Sequence, residues 1–492
     1  MAESLRYSGP VRQLRSSVPF VLLCLLLGAV LGLCGLPLPW SFLTPLPLAG
    51  VLWLAASAAP PRQVAGRLFW IMTAYFAVQL WWLTQFMVQL SGMPWGGVLV
   101  LPLFLIEGGF WALLGWLAAR AVRDPLARVW ALAGGWVLLE WLRTLGPLAF
   151  PWSGMGATLL PTPLSQTADV WGALGLSVLV VVTAASVVSL AYRRWRMPVL
   201  TLLLWVGGSV YGLTRSAAAG TEGRALLVRT DFDSFGRASG SLGFEQQFQR
   251  LLQLSQARQP GELTIWSETA IINAPDLLRA PAPGIYGVYS SAGGNTAQSW
   301  DGTSPGSVVY TKLKPVPFGE FFPFSGPLNA LYTWIFHLFG IPNFDPPPSG
   351  NAAEPLRLNG VLYGTYICYD SIFSWVARQM VLGGAQVLVN VSNDGWYQGW
   401  GVTQHFQMGR LRAIETRRWV LRSVNKGVLG VIDDLGRPVS TLDSGEGVLH
   451  ARYQLLGGQT LYVKLGDLPA LLGALALLLL AWRTQRRASR WR

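Results

Sequence analysis

Apolar stretches of about 20 residues recur along this chain, separated by short arginine clusters, and they limit its fold more than any other feature. A helix needs about 20 mainly apolar residues to cross the core of a bilayer. Eight stretches qualify, at about 17–36, 41–59, 68–90, 96–120, 127–145, 170–192, 197–214 and 467–483, the second interrupted by Pro45 and Pro47. Only 12% of the residues are charged, where soluble domains carry about 25%. The 24 tryptophans suit a membrane–water interface. The pattern predicts a membrane helical bundle of about eight transmembrane helices with one globular domain attached. The net charge of +13 sits in short clusters between apolar segments, which read as topology signals; no nucleic-acid partner is expected.

The loop charges set an orientation. Arg6, Arg12 and Arg15 precede the first stretch, and Arg62 and Arg67 separate the second from the third. Arg120, Arg123 and Arg128, then Arg193, Arg194 and Arg196, occupy later loops of the same phase, and Arg483, Arg486, Arg487, Arg490 and Arg492 follow the last stretch. The alternate loops, about 37–40, 91–95 and 146–169, hold no Lys or Arg. The positive-inside rule then predicts cytoplasmic termini, with residues 215–466 on the far side of the membrane. The chain divides into helices 1–7 (1–214), an extracytoplasmic domain (215–466), and helix 8 with a basic tail (467–492). The first stretch has a basic start but no small-x-small cleavage site, and reads as a retained helix. Glu107 and Glu140 fall inside apolar stretches, which places them in a bundle interior or interface, with a structural role favoured for each.

The outer block has soluble character. Strand-like runs at 225–229, 263–266, 361–367, 387–391 and 428–432 alternate with helix-like stretches near 243–257, 371–382 and 404–418, the pattern of an α/β sandwich. Residues 275–305, rich in Pro, Gly and Ser, read as loop. The aromatic segment 321–350 reads equally well as an element dipping into the membrane surface and as a helix packed on the domain's own core.

Three short motifs carry chemistry: Trp266-Ser267-Glu268-Thr269, Lys312 followed by Val316-Pro-Phe-Gly-Glu320, and Ile367-Cys368-Tyr369-Asp370. Singly each is weak, because a strand-end Glu is usually solvated, a Lys is usually on the surface and a Cys in a β-run is usually core. Cys24 and Cys34 lie in or beside the first apolar stretch, so Cys368 is the one thiol of the outer block. A thiol attacks a carbonyl once a base has taken its proton, and a buried carboxylate can be that base. A lysine ammonium with a backbone N–H can hold the oxyanion. Glu, Lys and Cys in that order are the parts of a carbon–nitrogen hydrolase. His405 is a weaker candidate base, with packing or hydrogen bonding favoured. Three histidines spread over the outer block give no metal-ligand cluster, and no metal or cofactor is expected.

The motifs resemble the nitrilase superfamily, an αββα sandwich, and in particular its membrane-embedded apolipoprotein N-acyltransferase family. Glu140-Trp-Leu-Arg143 with Phe150-Pro-Trp152, the Lys312–Glu320 motif, Ser392-Asn-Asp-Gly-Trp396, Gln404-His-Phe-Gln-Met408, Arg410-Leu-Arg-Ala-Ile-Glu415, Arg422 and Asn425 carry the likeness. The resemblance implies catalytic roles for Glu268 (base), Lys312 (oxyanion partner) and Cys368 (nucleophile), with Glu320, the Tyr369 N–H and Asp370 in support. It implies acyl transfer from a phospholipid, through a Cys368 thioester, to the α-amine of a diacylglyceryl-cysteine on an apolipoprotein, at the bacterial inner membrane. The chain departs from the family pattern at Asp370, where Glu is usual, and at Pro315, where Leu is usual. Lys314 rivals Lys312, but the eight-residue spacing to Glu320 favours Lys312. Nothing in the sequence demands more than a monomer. The alternatives are a membrane-anchored amidase acting on a small amide, and a carrier with an inactive outer domain.

Overall fold

The computed structural model describes residues 18–238, 243–290, 292–339 and 346–490. Arg6, Arg12, Arg15, Arg492 and residues 340–345 of the aromatic segment lie outside the described residues.

Among the described residues, eight α-helices precede the first strand: α1 (Val18–Cys34), α2 (Pro45–Ala56), α3 (Pro61–Gln79), α4 (Leu83–Ser91), α5 (Leu101–Ala121), α6 (Pro125–Leu142), α7 (Ala168–Ala191) and α8 (Arg196–Leu213). Every expected apolar stretch falls on a helix, but not one to one. The third is broken into α3 and α4, bent by 71°. Neither proline nor glycine lies at the break; Trp82 there is buried and donates Nε1–H to Gln404 Oε1 at 3.2 Å. Tertiary anchoring thus overrides a continuous apolar run. By length and composition four described helices can cross a bilayer, or five if the bent pair counts as one span.

The bundle is built around α6. Asp124 caps it, accepting from Ala127 N at 2.8 Å, and Pro125 starts its first turn. It is buried along most of its length, whereas α8 buries only Thr201 and exposes Leu202, Leu203, Val206 and Val210. Both intrahelical acids face the interior. Glu107 pairs with Arg143 Nε at 2.9 Å, and Arg143 Nη2 donates to the Phe150 and Trp152 carbonyls at 2.8 and 3.2 Å. Glu140 Oε1 accepts from Met155 N at 3.0 Å and Trp136 Nε1 at 3.1 Å.

The outer part carries thirteen strands: β1 (Thr221–Thr230), β2 (Leu263–Ile265), β3 (Ile271–Ile272), β4 (Gly284–Ser290), β5 (Gly294–Trp300), β6 (Pro305–Thr311), β7 (Leu356–Leu358), β8 (Val361–Ile367), β9 (Val387–Asn393), β10 (Val420–Asn425), β11 (Leu429–Ile432), β12 (Pro438–Leu442) and β13 (Gly447–Leu455). Instead of the expected pair of separate sheets, they form one hydrogen-bonded, barrel-like sheet of order β6-β5-β4-β2-β1-β10-β9-β8-β7, with β13 antiparallel on β1 and β11–β12 off β10. Strands β4, β2, β1, β10, β9 and β8 are mutually parallel. The remaining helices are α9 (Ser234–Ala238), α10 (Phe244–Ser255), α11 (Ser325–Phe339), α12 (Ser374–Leu382), α13 (Trp400–Thr416), α14 (Leu461–Leu465) and α15 (Leu468–Arg490). The apolar face of α10 packs with Trp266, Tyr286 and Val288.

One expectation for this part changes. Residues 275–305 are a 3-10 turn and strands β4 and β5, not a loop. Their glycines permit close packing: a Cβ on Gly287 would stand 2.2 Å from the Ser267 carbonyl oxygen and 2.8 Å from Glu268 Cα. Composition alone therefore misled. In the aromatic segment α11 is a helix whose Phe336 is buried and packs against Phe322, while Leu328, Leu331 and Trp334 stay exposed.

The two parts interlock through polar side chains. Gln404 on α13 accepts from Trp152 Nε1 at 2.7 Å and donates to Gln79 Oε1 at 2.8 Å. Glu415 Oε1 accepts from Ala173 N at 2.7 Å, and Arg417 Nη2 meets Asp169 Oδ2 at 2.7 Å.

Candidate active site

The parallel strands all end at one edge of the sheet, where ligands are usually received in open α/β sheets. Cys368 follows β8, Asn393 ends β9, and Glu268 follows β2; Lys312 follows β6, whose C-terminus reaches the same edge. The chain turns sharply from β8 into a 3-10 turn (Cys368–Ile372), and Cys368 itself takes φ +45°, in the left-handed region. Holding a non-glycine residue there costs about 1–3 kcal/mol. Only 3% of the residue is exposed. Burial first, then the Glu268 charge, pushes its thiol up, against the opposing pull of Lys312. The resting sulfur is therefore a thiol and needs a base.

The three chemistry-bearing motifs come together in space. Lys312 Nζ lies 3.1 Å from Glu268 Oε1 and 2.7 Å from Glu320 Oε1. Burial alone would lower the Lys312 ammonium, but Glu268 and Glu320 outweigh it and hold it well above its usual range. Each carboxylate has further donors. Glu268 Oε1 accepts from Asn295 Nδ2, its Oε2 accepts from Asn393 N at 2.8 Å, and Glu320 Oε2 accepts from Val316 N at 2.8 Å. One cation thus serves two carboxylates, beside a neutral thiol. This arrangement can accept a proton, hold an oxyanion and present a sulfur nucleophile.

Asp370 fastens this assembly. Its Oδ2 accepts from Tyr310 OH at 2.7 Å, Ile367 N at 3.3 Å and Leu313 N at 3.4 Å, and its Oδ1 from Lys314 N at 2.8 Å. The cysteine turn and the lysine loop are therefore tied through one carboxylate. The Tyr369 phenol points the other way, donating to the Ala149 carbonyl at 3.0 Å in the helical part.

Residues 27–186 match the apolipoprotein N-acyltransferase N-terminal domain, and residues 316–459 match the carbon-nitrogen hydrolase family. An apolipoprotein N-acyltransferase of Azotobacter vinelandii is 30% identical over 511 aligned positions, covering 96% of each chain. The chain belongs to the apolipoprotein N-acyltransferase family. A relative of the same description from Allorhizobium ampelinum is 32% identical, covering 82% of this chain and 84% of its own. Among solved structures, Saccharomyces cerevisiae Nit3 is 15% identical, covers 49% of this chain and 93% of its own, and superposes with a TM-score of 0.36. Glu320, Cys368, Tyr369 and Asp370 lie within the carbon-nitrogen hydrolase match; Glu268 and Lys312 lie upstream of it.

Within this apolipoprotein N-acyltransferase fold the other candidates separate. Lys314 turns away from the carboxylates, its Nζ 5.5 Å from the Phe373 ring centre and 5.7 Å from that of Trp375. His405 is fully buried, with Nε2 2.8 Å from Ser371 Oγ and 3.1 Å from the Cys368 carbonyl oxygen, and Nδ1 2.9 Å from Asp394 Oδ1. Sequence reasoning placed no metal cluster here, yet Cys368, Asp394 and His405 converge, with candidate ligand atoms within 4.8 Å of one another. Their surroundings do not fit a cation. Arg422 Nη2 lies 2.6 Å from Asp394 Oδ2 and 3.1 Å from His405 Nδ1, so a guanidinium already occupies that position. Burial pushes Asp394 up, but Arg422 and His405 outweigh it and hold it well below the usual carboxylate range. Sequence reasoning missed Asn295, hidden in a stretch read as loop, and the Tyr397 hydroxyl, 3.8 Å from Cys368 Sγ.

Proposed function

We propose that this chain is a bacterial membrane N-acyltransferase. It moves an acyl chain from a phospholipid to the N-terminal α-amine of a diacylglyceryl-cysteine on an apolipoprotein. The observation that carries the reading is the buried Glu268–Lys312 pair, joined by half-buried Glu320, beside Cys368, in a chain akin to apolipoprotein N-acyltransferases along nearly its full length.

Glu268 takes the thiol proton as Sγ attacks the ester carbonyl, the sn-1 ester in this reading. Lys312 Nζ and the Tyr369 N–H hold the oxyanion, and Glu320 orients the lysine. Collapse breaks the C–O bond; the lysophospholipid alkoxide takes the proton from Glu268 and leaves a thioester. The acceptor amine then attacks, gives its proton to Glu268, and the C–S bond breaks. Sγ recovers the proton from Glu268, so each cycle returns the starting enzyme. This is a ping-pong scheme.

Eight spans, cytoplasmic termini and an extracytoplasmic catalytic domain at 215–466 complete the reading, supported by the arginine phase and by the lipid-facing character of α8. Both substrates are lipids, so the site works at the outer leaflet of the inner membrane.

The test is acyl-labelled phospholipid mixed with purified protein and quenched in acid before acceptor is added. A hydroxylamine-labile adduct is expected, absent from Cys368→Ala and Lys312→Ala. Hydrolysis of a simple amide with no adduct formed would overturn the reading in favour of an amidase.

A further inference from the structure

Tyr397 lies outside the motif residues used so far, in the loop between β9 and α13. Its backbone N–H donates to the Asp394 carbonyl at 2.9 Å. Its ring stands edge-on to Trp82 of the helical part at 5.0 Å and to His405 at 5.3 Å, and packs against Trp152 at 5.6 Å. Rings from both halves of the molecule thus aim one phenol. Among the described residues, its hydroxyl has Cys368 Sγ as its one hydrogen-bond partner, at 3.8 Å. The sulfur's other neighbour, the Asn393 carbonyl oxygen at 3.9 Å, can only accept, so the thiol hydrogen points there. A sulfur lone pair is left to receive the phenol O–H.

We propose that Tyr397 is a further catalytic residue, a hydrogen-bond donor to the Cys368 sulfur that stabilises it whenever it carries negative charge. Tyr397 keeps its proton throughout; the thiol proton travels to Glu268 and back, as in the scheme above. The O–H bond to sulfur strengthens as the thiolate forms, weakens in the neutral thioester, and strengthens again as the C–S bond breaks. The same contact therefore eases both formation and expulsion of the thiolate. The charged and titratable groups around the sulfur come from four other segments: Glu268 after β2, Lys312 and Glu320 after β6, Asp394 after β9, and the His405 imidazole on α13. None of them is altered by removing one phenol oxygen.

The test reads the sulfur directly and does not depend on any acyl donor. The rate of Cys368 alkylation by iodoacetamide is measured against pH in detergent-solubilised full-length protein, as Tyr397→Phe and as protein carrying 3,5-difluorotyrosine at 397. A hydrogen bond to a charged group is worth about tenfold or more, so Tyr397→Phe should alkylate about tenfold more slowly at each pH. That displaces its profile upward by about one pH unit. The fluorinated side chain, a stronger donor, should displace it downward. An unchanged thermal midpoint in Tyr397→Phe separates this loss from unfolding. Superimposable profiles in all three proteins would overturn the proposal. The inference rests on the transferase reading only for its catalytic meaning: displaced profiles without a phospholipid adduct would leave the donor in place and remove the transferase.

Discussion

Each half of the molecule buries carboxylates against a cation, and the two halves do so differently. In the helical part Glu107 meets Arg143 one to one, and the arginine's remaining bonds go to two backbone carbonyls. In the α/β part Lys312 meets two carboxylates at once, next to a neutral thiol. A balanced pair closed by backbone acceptors serves to hold helices together. A group with two acids on one cation leaves more acceptor oxygens than that cation neutralises. Charge balance, more than burial, thus distinguishes the helical pair from the proposed reactive site.

The strongest way to break this contrast is Glu268→Gln. It should slow thioester formation about a thousandfold, the usual worth of a positioned base, with the thermal midpoint little changed. Adduct formation at the wild-type rate in single-turnover assays would remove Glu268 from its role. Glu107→Gln should do the opposite: the folded protein keeps its acylation rate, but stability falls by about 3–5 kcal/mol because a buried arginine loses its partner. Denaturation in detergent checks that.

Asp370 sharpens the comparison, since it is buried, fastens the site and, among the described residues, carries no ion pair. Burial, resisted by donation from Tyr310 and by Lys312, pushes it up to about 6 from the ordinary 3.8. The folded state thus binds the proton more tightly than the unfolded one. Stability should fall as pH rises from about 4 to about 6, by about 3 kcal/mol in all, and level off above. Asp370→Asn should lack that slope in melts run across the same window; an identical slope in both proteins would exclude Asp370 as its source. The smallest effect is expected of Lys314→Met. It removes a cation resting on two rings, worth about 0.5–1 kcal/mol, and should alter the acylation rate by less than about twofold. A loss as large as that of Lys312→Ala would make Lys314 the working lysine.

These contrasts were only partly readable beforehand. Glu268, Lys312 and Cys368 are weak signals singly and were readable only as a set in the order Glu, Lys, Cys at strand ends or in loops; the fold gathers those positions at one sheet edge. The positions of the apolar helices were readable, though only four or five of those described are long and apolar enough to cross a bilayer. The break at Leu80–Trp82 was not, since its cause is a bond from Trp82 to Gln404, more than 300 residues away. Asn295 was hidden because β4 and β5 lie in a stretch rich in Pro, Gly and Ser, a composition that suits a crowded ladder as well as it suits a loop. The junction of Asp394, His405 and Arg422 was hidden for another reason: its members come from a loop, a helix and a strand, and no spacing announces their meeting.

The last helix bears on how such a chain is made. The close fit of α15 against α6 leaves no room at Gly134, where a Cβ would stand 2.8 Å from the Ala474 carbonyl oxygen. Since α15 follows the entire α/β part, the central helix waits bare on one flank while more than 200 residues are synthesised. The bundle's final closure is therefore timed by translation, and a ribosome that stops before Leu468 leaves a membrane intermediate with its middle exposed, a natural substrate for quality control.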